Sequence, residues 1–90
     1  MKHIDEIFLA LPVDGSVIRF TEILGGIKDV TPKQLSACLK RLVRLGLVNH
    51  SIDASNIPIK SFYSLSQKGK RARSIVARYV ALFGGIAYDD

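Results

Sequence analysis

The chain has 90 residues, which is enough for one small domain that buries about 60–65% of its unfolded surface. It has 13 lysines and arginines against 8 aspartates and glutamates, a net charge of +5, and 48% of its residues are hydrophobic. The apolar content excludes a disordered basic tail, and the single cysteine excludes an internal disulfide framework or a cysteine-based zinc cluster. The positive charge favours a polyanionic partner.

The first part of the chain predicts a helix, a short strand and a second helix. Apolar residues at helical spacing indicate a helix over 4–11. Residues 17–20 are β-prone and long enough for one small strand. Thr21 can cap a short helix over 21–24, which the glycine pair at 25–26 ends.

A capping box marks the start of the third helix. Residues 31–34 read Thr-Pro-Lys-Gln, with a hydroxyl at the N-cap, proline at the first helical position and glutamine at the third. Apolar residues then recur on one face, and Gly46 suits the position that follows a helix. We therefore predict a helix over 32–45.

A hairpin and a long helix complete the predicted elements. Strands are predicted over 47–52 and 60–65, separated by a turn cluster at 53–56. Ser66 can cap a last helix over 67–88, although a glycine pair near its end can break it.

The order of these elements is helix-strand-helix-helix-strand-strand-helix, which defines a mostly helical α+β domain. Two short helices followed by a hairpin describe a winged helix-turn-helix, in which the second of the two helices enters the major groove of DNA. We predict a single winged-helix DNA-binding domain over 1–90, with the C-terminal helix at 67–88 as the dimerisation helix.

The positive charge is concentrated in the C-terminal two thirds of the chain. Residues 1–32 hold three basic and five acidic residues, whereas residues 33–88 hold ten basic residues and one acidic residue. Mutual repulsion among these positive charges favours a negatively charged partner over an ordinary solvated surface.

The helix over 32–45 has the composition of a recognition helix. Opposite its leucines it carries small or basic residues, which let the backbone approach base edges while long side chains reach bases or phosphates. The predicted DNA contacts on this helix and at its N-cap are Thr31, Lys33, Gln34, Ser36, Ala37, Lys40, Arg41 and Arg44. The alternative is a generic amphipathic helix with a solvated basic face.

The stretch from Arg19 to Gly69 resembles a known family. The residues that carry the resemblance are Arg19-Phe20-Thr21-Glu22-Ile23-Leu24, Val30-Thr31-Pro32-Lys33-Gln34-Leu35-Ser36, Leu39-Lys40-Arg41-Leu42, Leu45-Gly46-Leu47-Val48 and Phe62-Tyr63-Ser64-Leu65-Ser66-Gln67-Lys68-Gly69. They are similar to the winged-helix transcriptional regulators of bacteria and archaea, most of all the HxlR-like branch and more loosely the MarR and PadR regulators. The resemblance implies a dimeric, DNA-binding transcription factor whose major-groove face carries Lys33, Ser36, Ala37 and Lys40.

The chain departs from the HxlR-like pattern at three places. Family members often have a redox-sensing cysteine near the first helix, whereas Cys38 falls on the apolar face of the predicted recognition helix and is predicted to be core. The family wing usually has an arginine after its prolines, where Lys60 is the nearby cation here. A Thr-Pro step before the last glycine of the family pattern is replaced by Ser66-Gln67.

Two further basic or polar segments have open interpretations. The wing tip, formed by Ser55, Asn56 and Lys60, is predicted to contact the adjacent minor groove or backbone, although turn residues are polar for local reasons too. The start of the last helix carries four cations, which the helix dipole disfavours at an N-terminus. They indicate either an external anion or a solvated polar face. These four are Lys68, Lys70, Arg71 and Arg73.

The last helix also carries an apolar stripe that a minimal winged-helix core does not need. We predict that this stripe forms a homodimer interface, because a symmetric dimer places two recognition helices one DNA turn apart. The predicted interface residues are Ile75, Val76, Tyr79, Leu82 and Phe83. The alternative is a monomer in which this helix closes the core.

No catalytic site, metal site or cofactor is predicted. His3 and His50 are far apart, no histidine or cysteine pair has metal-ligand spacing, and the glycine pairs lack a phosphate-loop signature. The acidic start lacks the apolar run of a signal peptide, and the longest apolar stretch, at 79–88, is too short to span a membrane. Together with the single cysteine, these features predict a cytoplasmic protein that does not bind a membrane.

The sequence therefore predicts a transcriptional regulator that binds double-stranded DNA sequence-specifically, with a recognition helix at about 32–45 and a wing at about 53–60. The alternative function is a winged-helix protein–protein interaction module in a larger assembly, in which the last helix docks a partner.

Overall fold

A computed structural model describes residues 3–55 and 57–83. The helices are α1 (Ile4–Leu9), α2 (Phe20–Gly26), α3 (Pro32–Arg44) and α4 (Gln67–Phe83), and the strands are β1 (Ile18–Arg19), β2 (Val48–Asp53) and β3 (Lys60–Leu65). This order confirms the predicted α+β winged-helix class.

The three strands form one antiparallel sheet in the order β1-β3-β2. Strands β2 and β3 pair along their whole length, from Val48 opposite Leu65 to Asp53 opposite Lys60. Strand β1 adds a short pairing in which Arg19 lies opposite Phe62. The wing is therefore the β2–β3 hairpin, and β1 anchors its returning strand to the start of α2.

The two N-terminal helices differ from their predicted bounds. Helix α1 ends at Leu9 instead of residue 11, because Pro12 disfavours helical geometry at the residue before it. Helix α2 begins at Phe20 with Arg19 at its N-cap, so the predicted cap at Thr21 is wrong. The Glu22 carboxylate accepts from the Arg19 backbone N–H at 3.0 Å and fixes the earlier start. The glycine pair at 25–26 completes its last turn and does not interrupt it.

The predicted capping box of α3 is present. Thr31 Oγ1 accepts from the Gln34 backbone N–H at 3.1 Å, and Gln34 Oε1 accepts from the Thr31 backbone N–H at 3.0 Å. The helix ends at Arg44, and Gly46 then adopts a positive φ of 77°, a backbone conformation that is strained for residues other than glycine. Local sequence thus fixes both ends of this helix.

The core is assembled around α3. Ten buried apolar residues from the first three helices, the α1–β1 connection and the sheet form one cluster: Ile7, Phe8, Leu11, Ile23, Leu35, Cys38, Leu39, Leu42, Val48 and Leu65. Helix α4 adds Ala72 and Val76, which pack against this cluster and remain partly exposed. Most of the apolar surface of α4 is therefore outside the core.

The start of α4 is fixed to the segment after α3 by polar contacts. Ser66 Oγ donates to the Gly46 carbonyl at 2.6 Å and accepts from the Gly69 backbone N–H at 2.9 Å. The Ser66 backbone N–H also donates to the Leu47 carbonyl at 3.1 Å. The predicted Ser66 cap is thus present and joins α4 to α3.

Two of the cations near the start of α4 bind carbonyl oxygens at the ends of other helices. Lys68 Nζ donates to the Leu45 carbonyl at 2.9 Å, and Arg73 Nη2 donates to the Leu9 carbonyl at 3.1 Å. Carbonyls at a helix C-terminus carry partial negative charge, so these contacts are favourable. For these two residues, carbonyl dipoles within the domain therefore take the place of the external anion that the sequence suggested.

Candidate nucleic-acid interface

The predicted recognition face of α3 points away from the core. Leu35, Cys38, Leu39 and Leu42 are buried on one side of the helix. On the opposite side the basic and small residues are exposed, except that Ser36 is half-buried; these are Lys33, Ala37, Lys40, Arg41 and Arg44. The helix thus presents one continuous face of small and cationic side chains.

This face has no internal counter-charge. Residues 32–44 contain no aspartate or glutamate. Within residues 3–55 and 57–83, none of the four cations of α3 forms a salt bridge with a carboxylate. An external polyanion would therefore meet four cations that the described part of the domain does not neutralise.

Thr31 and Gln34 serve the helix itself. Their oxygen atoms are occupied by the capping box, which holds both side chains at the exposed start of α3. The Thr31 hydroxyl hydrogen and the Gln34 amide hydrogens are still able to donate to an external acceptor.

The described part of the wing tip exposes apolar residues as well as polar ones. Ser55 is exposed and donates its backbone N–H to the Asp53 carboxylate at 3.0 Å, whereas Asn56 lies outside the described residues. Ile57 is 100% exposed and Ile59 is 62% exposed. The polar wing tip expected from the sequence is therefore accompanied by two isoleucines.

Lys60 is half-buried and lies in a pocket of about 180 Å³ between the wing and the start of α2. The lining residues are Arg19, Phe20, Thr21, Ile59, Lys60 and Ser61. Sequence analysis missed Arg19 because it lies in the acidic first third of the chain. The pairing of residues 18–19 with the returning wing strand would have indicated it, but that pairing is a tertiary feature.

The apolar stripe of α4 is divided between two surfaces. Ile75, Tyr79 and Leu82 are 68%, 52% and 77% exposed, respectively, and lie on one helical face. Val76 instead packs against the core, because it follows Ala72 by one helical turn on the inner face. Phe83 is the last described residue of α4; its side chain, and residues 84–88 of the predicted helix, lie outside the described part.

Cys38 is buried in the core, as predicted, and the burial raises the pKa of its thiol above the usual value. A thiol in that state is a poor nucleophile and a poor metal ligand. No group of three candidate metal ligands occurs within residues 3–55 and 57–83. Across the same residues, no helix has the length and apolarity to cross a membrane.

The family model described as HxlR-like helix-turn-helix matches residues 6–85 of the chain. Comparison with the curated proteins gives no significant match. The matched residues 6–85 include the whole of α2, α3 and the wing, so the resemblance to the HxlR-like family predicted from the sequence is confirmed.

Solved structures of transcriptional regulators have the same fold. A MarR-family regulator from Porphyromonas gingivalis W83 aligns with a TM-score of 0.78 and 26% identity, over 93% of this chain and 78% of that one. The regulator ytfH from Salmonella typhimurium aligns with a TM-score of 0.79 and 25% identity, over 89% and 69% of the two chains. The reduced form of YodB from B. subtilis aligns with a TM-score of 0.73 and 26% identity, over 90% and 76%.

Proposed function

Because this chain belongs to the HxlR-like helix-turn-helix family, it is a DNA-binding regulator of transcription, and we propose that α3 is its recognition helix for duplex DNA. The matched structures are transcriptional regulators, which agrees with the prediction that the chain is not an enzyme. A regulator of this type works where the chromosome is, so the proposed location is the cytoplasm.

The observation that carries this proposal is the exposed, uncompensated cationic face of α3. The major groove is about 12 Å wide and admits one helix. Small side chains at Ser36 and Ala37 let the helix backbone approach base edges, and Lys33 and Lys40 flank them one helical turn away. We assign base reading to the middle of this face and phosphate contacts to Arg41 and Arg44 near its end.

The wing is proposed to follow the adjacent minor groove. Ser55 and the fully exposed Ile57 lie near its tip, and Lys60 lies near its base. Apolar side chains are used by many minor-groove proteins to contact or wedge between base steps. Contact through isoleucine would replace part of the role that an arginine has in the family wing.

The exposed stripe of α4 is proposed to pair with a second copy of the chain. Ile75, Tyr79 and Leu82 supply apolar and aromatic surface of the kind enriched in interface centres. Residues 67–83 contain five cations and no acid, so two copies of α4 repel each other electrostatically. Added salt should therefore strengthen the dimer while it weakens DNA binding.

The same stripe favours the second candidate function, a module that docks another protein through α4. Binding of a fluorescent duplex, followed by anisotropy across a salt series, separates the two functions. If α3 and the wing neutralise 6–10 phosphates, affinity should fall by about 10³-fold or more between 50 and 200 mM salt. Absence of duplex binding at 50 mM salt would exclude the DNA-binding proposal and leave the docking module.

A further inference from the structure

The pocket between the wing and α2 is built from two chain segments that the sheet brings together. Arg19, Phe20 and Thr21 come from the end of β1 and the start of α2. The segment 59–61 comes from the end of the wing and the start of β3. The antiparallel pairing of Arg19 with Phe62 places the two segments side by side, so their cations face one pocket.

Among the described residues, the pocket is lined by two cations, two hydroxyl residues and the apolar Phe20 and Ile59, and by no carboxylate. Arg19 and Lys60 supply the positive charge, and Thr21 and Ser61 supply O–H donors. Neither cation forms a salt bridge with any residue in the described ranges.

Two acids that adjoin the pocket residues in the chain or in the sheet accept backbone N–H groups. The Glu22 carboxylate accepts the Arg19 backbone N–H at 3.0 Å. Asp53 lies opposite Lys60 in the sheet, and its carboxylate accepts the Ser55 backbone N–H at 3.0 Å. The pocket thus combines positive charge with unused hydrogen-bond donors, which suits a tetrahedral oxyanion.

We propose that this pocket is a phosphate-binding site and that its ligand in the DNA complex is one backbone phosphate. The assignment of the phosphate to DNA rests on the proposed function, whereas the affinity for a phosphate group does not. Arg19 belongs to the helix-turn-helix side of the domain and Lys60 to the wing. One phosphate held by both side chains fixes the wing relative to α3.

The first experiment measures duplex binding by the Arg19→Gln and Lys60→Gln variants and by the double variant. Arg78→Gln is the matched control, because it removes one exposed cation from α4, away from the pocket. Loss of a charge-assisted phosphate contact should weaken binding about tenfold. Since both cations of one chain hold the same phosphate, the slope of log affinity against log salt should become less steep in the double variant by about 0.9 for each bound chain, and not by twice that amount.

Neutral methylphosphonate linkages, placed one at a time along the duplex, locate the contacted phosphate. At the phosphate that the pocket holds, one position in each half-site, the neutral linkage should weaken binding of the wild-type chain and of Arg78→Gln and should have no further effect on the double variant. If each neutral linkage lowers the duplex affinity of the double variant as much as that of the wild type, the assignment of the pocket's phosphate to DNA is overturned.

The second experiment tests the pocket without DNA. Inorganic phosphate is titrated into the ¹⁵N-labelled chain at constant ionic strength, with chloride as the replaced anion. The backbone amides of Arg19, Thr21 and Ser61 should shift and saturate in the wild type and in Arg78→Gln, but not in the double variant. Saturable shifts together with unchanged duplex binding would identify a free phosphorylated ligand as the source.

The two experiments test the phosphate site and DNA binding separately. If the wild type binds no duplex, the proposed function fails, and the phosphate titration alone decides the pocket. If the titration gives no specific shifts and the double variant binds DNA like Arg78→Gln, the phosphate site is refuted while DNA binding stands. Circular dichroism should show that all variants keep the wild-type melting temperature, because Arg19, Lys60 and Arg78 lie outside the core.

Discussion

A methyl group at Gly69 should destabilise the domain more than its small size suggests. A Cβ at this position would overlap the carbonyl oxygen of Leu47 and lie 2.9 Å from the carbonyl carbon. The obstacle is backbone, and that same carbonyl accepts the Ser66 N–H at 3.1 Å, so it cannot move without loss of a hydrogen bond. Gly69→Ala therefore forces the start of α4 away from the segment that follows α3.

The expected cost is about 3 kcal/mol, at the upper end of overpacking effects in tight sites. A domain of this size has a total stability of about 5–13 kcal/mol, so the loss is a large fraction of it. The melting temperature should fall by about 12–24 °C. Urea unfolding followed by circular dichroism measures the free energy of unfolding directly.

Gly25→Ala is the matched control. Gly25 is also a helical glycine, but a Cβ added there would have no other atom within 4 Å. Alanine there should stabilise α2 by about 0.5–1 kcal/mol through its better helix propensity. The same glycine-to-alanine substitution should thus lower the free energy of unfolding at position 69 and raise it at position 25. Equal stability of Gly69→Ala and the wild type would refute the close approach of α4 to Leu47.

Four other substitutions and one chemical modification test separate parts of the structure. Lys33→Ala and Lys40→Ala should each weaken duplex binding several-fold in anisotropy titrations without a change in melting temperature, and unfolding of either variant would show that the wrong face of α3 was assigned. Thr31→Ala should lower the free energy of unfolding by about 1 kcal/mol in urea titrations, since it removes the N-cap acceptor; an unchanged value would mean the cap adds nothing. Tyr79→Glu should give a monomer in sedimentation at a concentration where the wild type is a dimer, whereas an unchanged mass would place the interface elsewhere. The buried Cys38 thiol has a raised pKa, so at pH 8 it should react with iodoacetamide far more slowly than in urea; equal rates would show that it is accessible.

The basic residues that produce the net charge of +5 have at least three different roles in the structure. Those on α3 face outward and have no carboxylate partner within the described ranges. Lys68 and Arg73 bind carbonyl oxygens at the ends of α3 and α1. Lys60 shares a pocket with Arg19. Charge counts along a sequence indicate a polyanionic partner but do not show which cations are available to it.

The sequence by itself determined the helix-turn-helix and its hairpin. The capping box at 31–34, the glycine after α3 and the Phe, Tyr and Ser content of β3 are local signals, and each depends on residues within or next to one element. Hydrophobic periodicity also predicted which side of α3 is buried, since one face of a helix must enter the core. The candidate recognition residues follow directly from that face.

Only the tertiary structure decided the roles that depend on distant segments. Arg19 joins Lys60 because β1 pairs with β3, and no local pattern records that register. Val76 faces the core while Ile75 and Leu82 remain exposed, because the way α4 packs on α1 and β3 selects among its apolar residues. Lys68 and Arg73 bind carbonyls 23 and 64 residues away, so the first turns of α4, unfavourable for cations in isolation, become favourable in the folded domain.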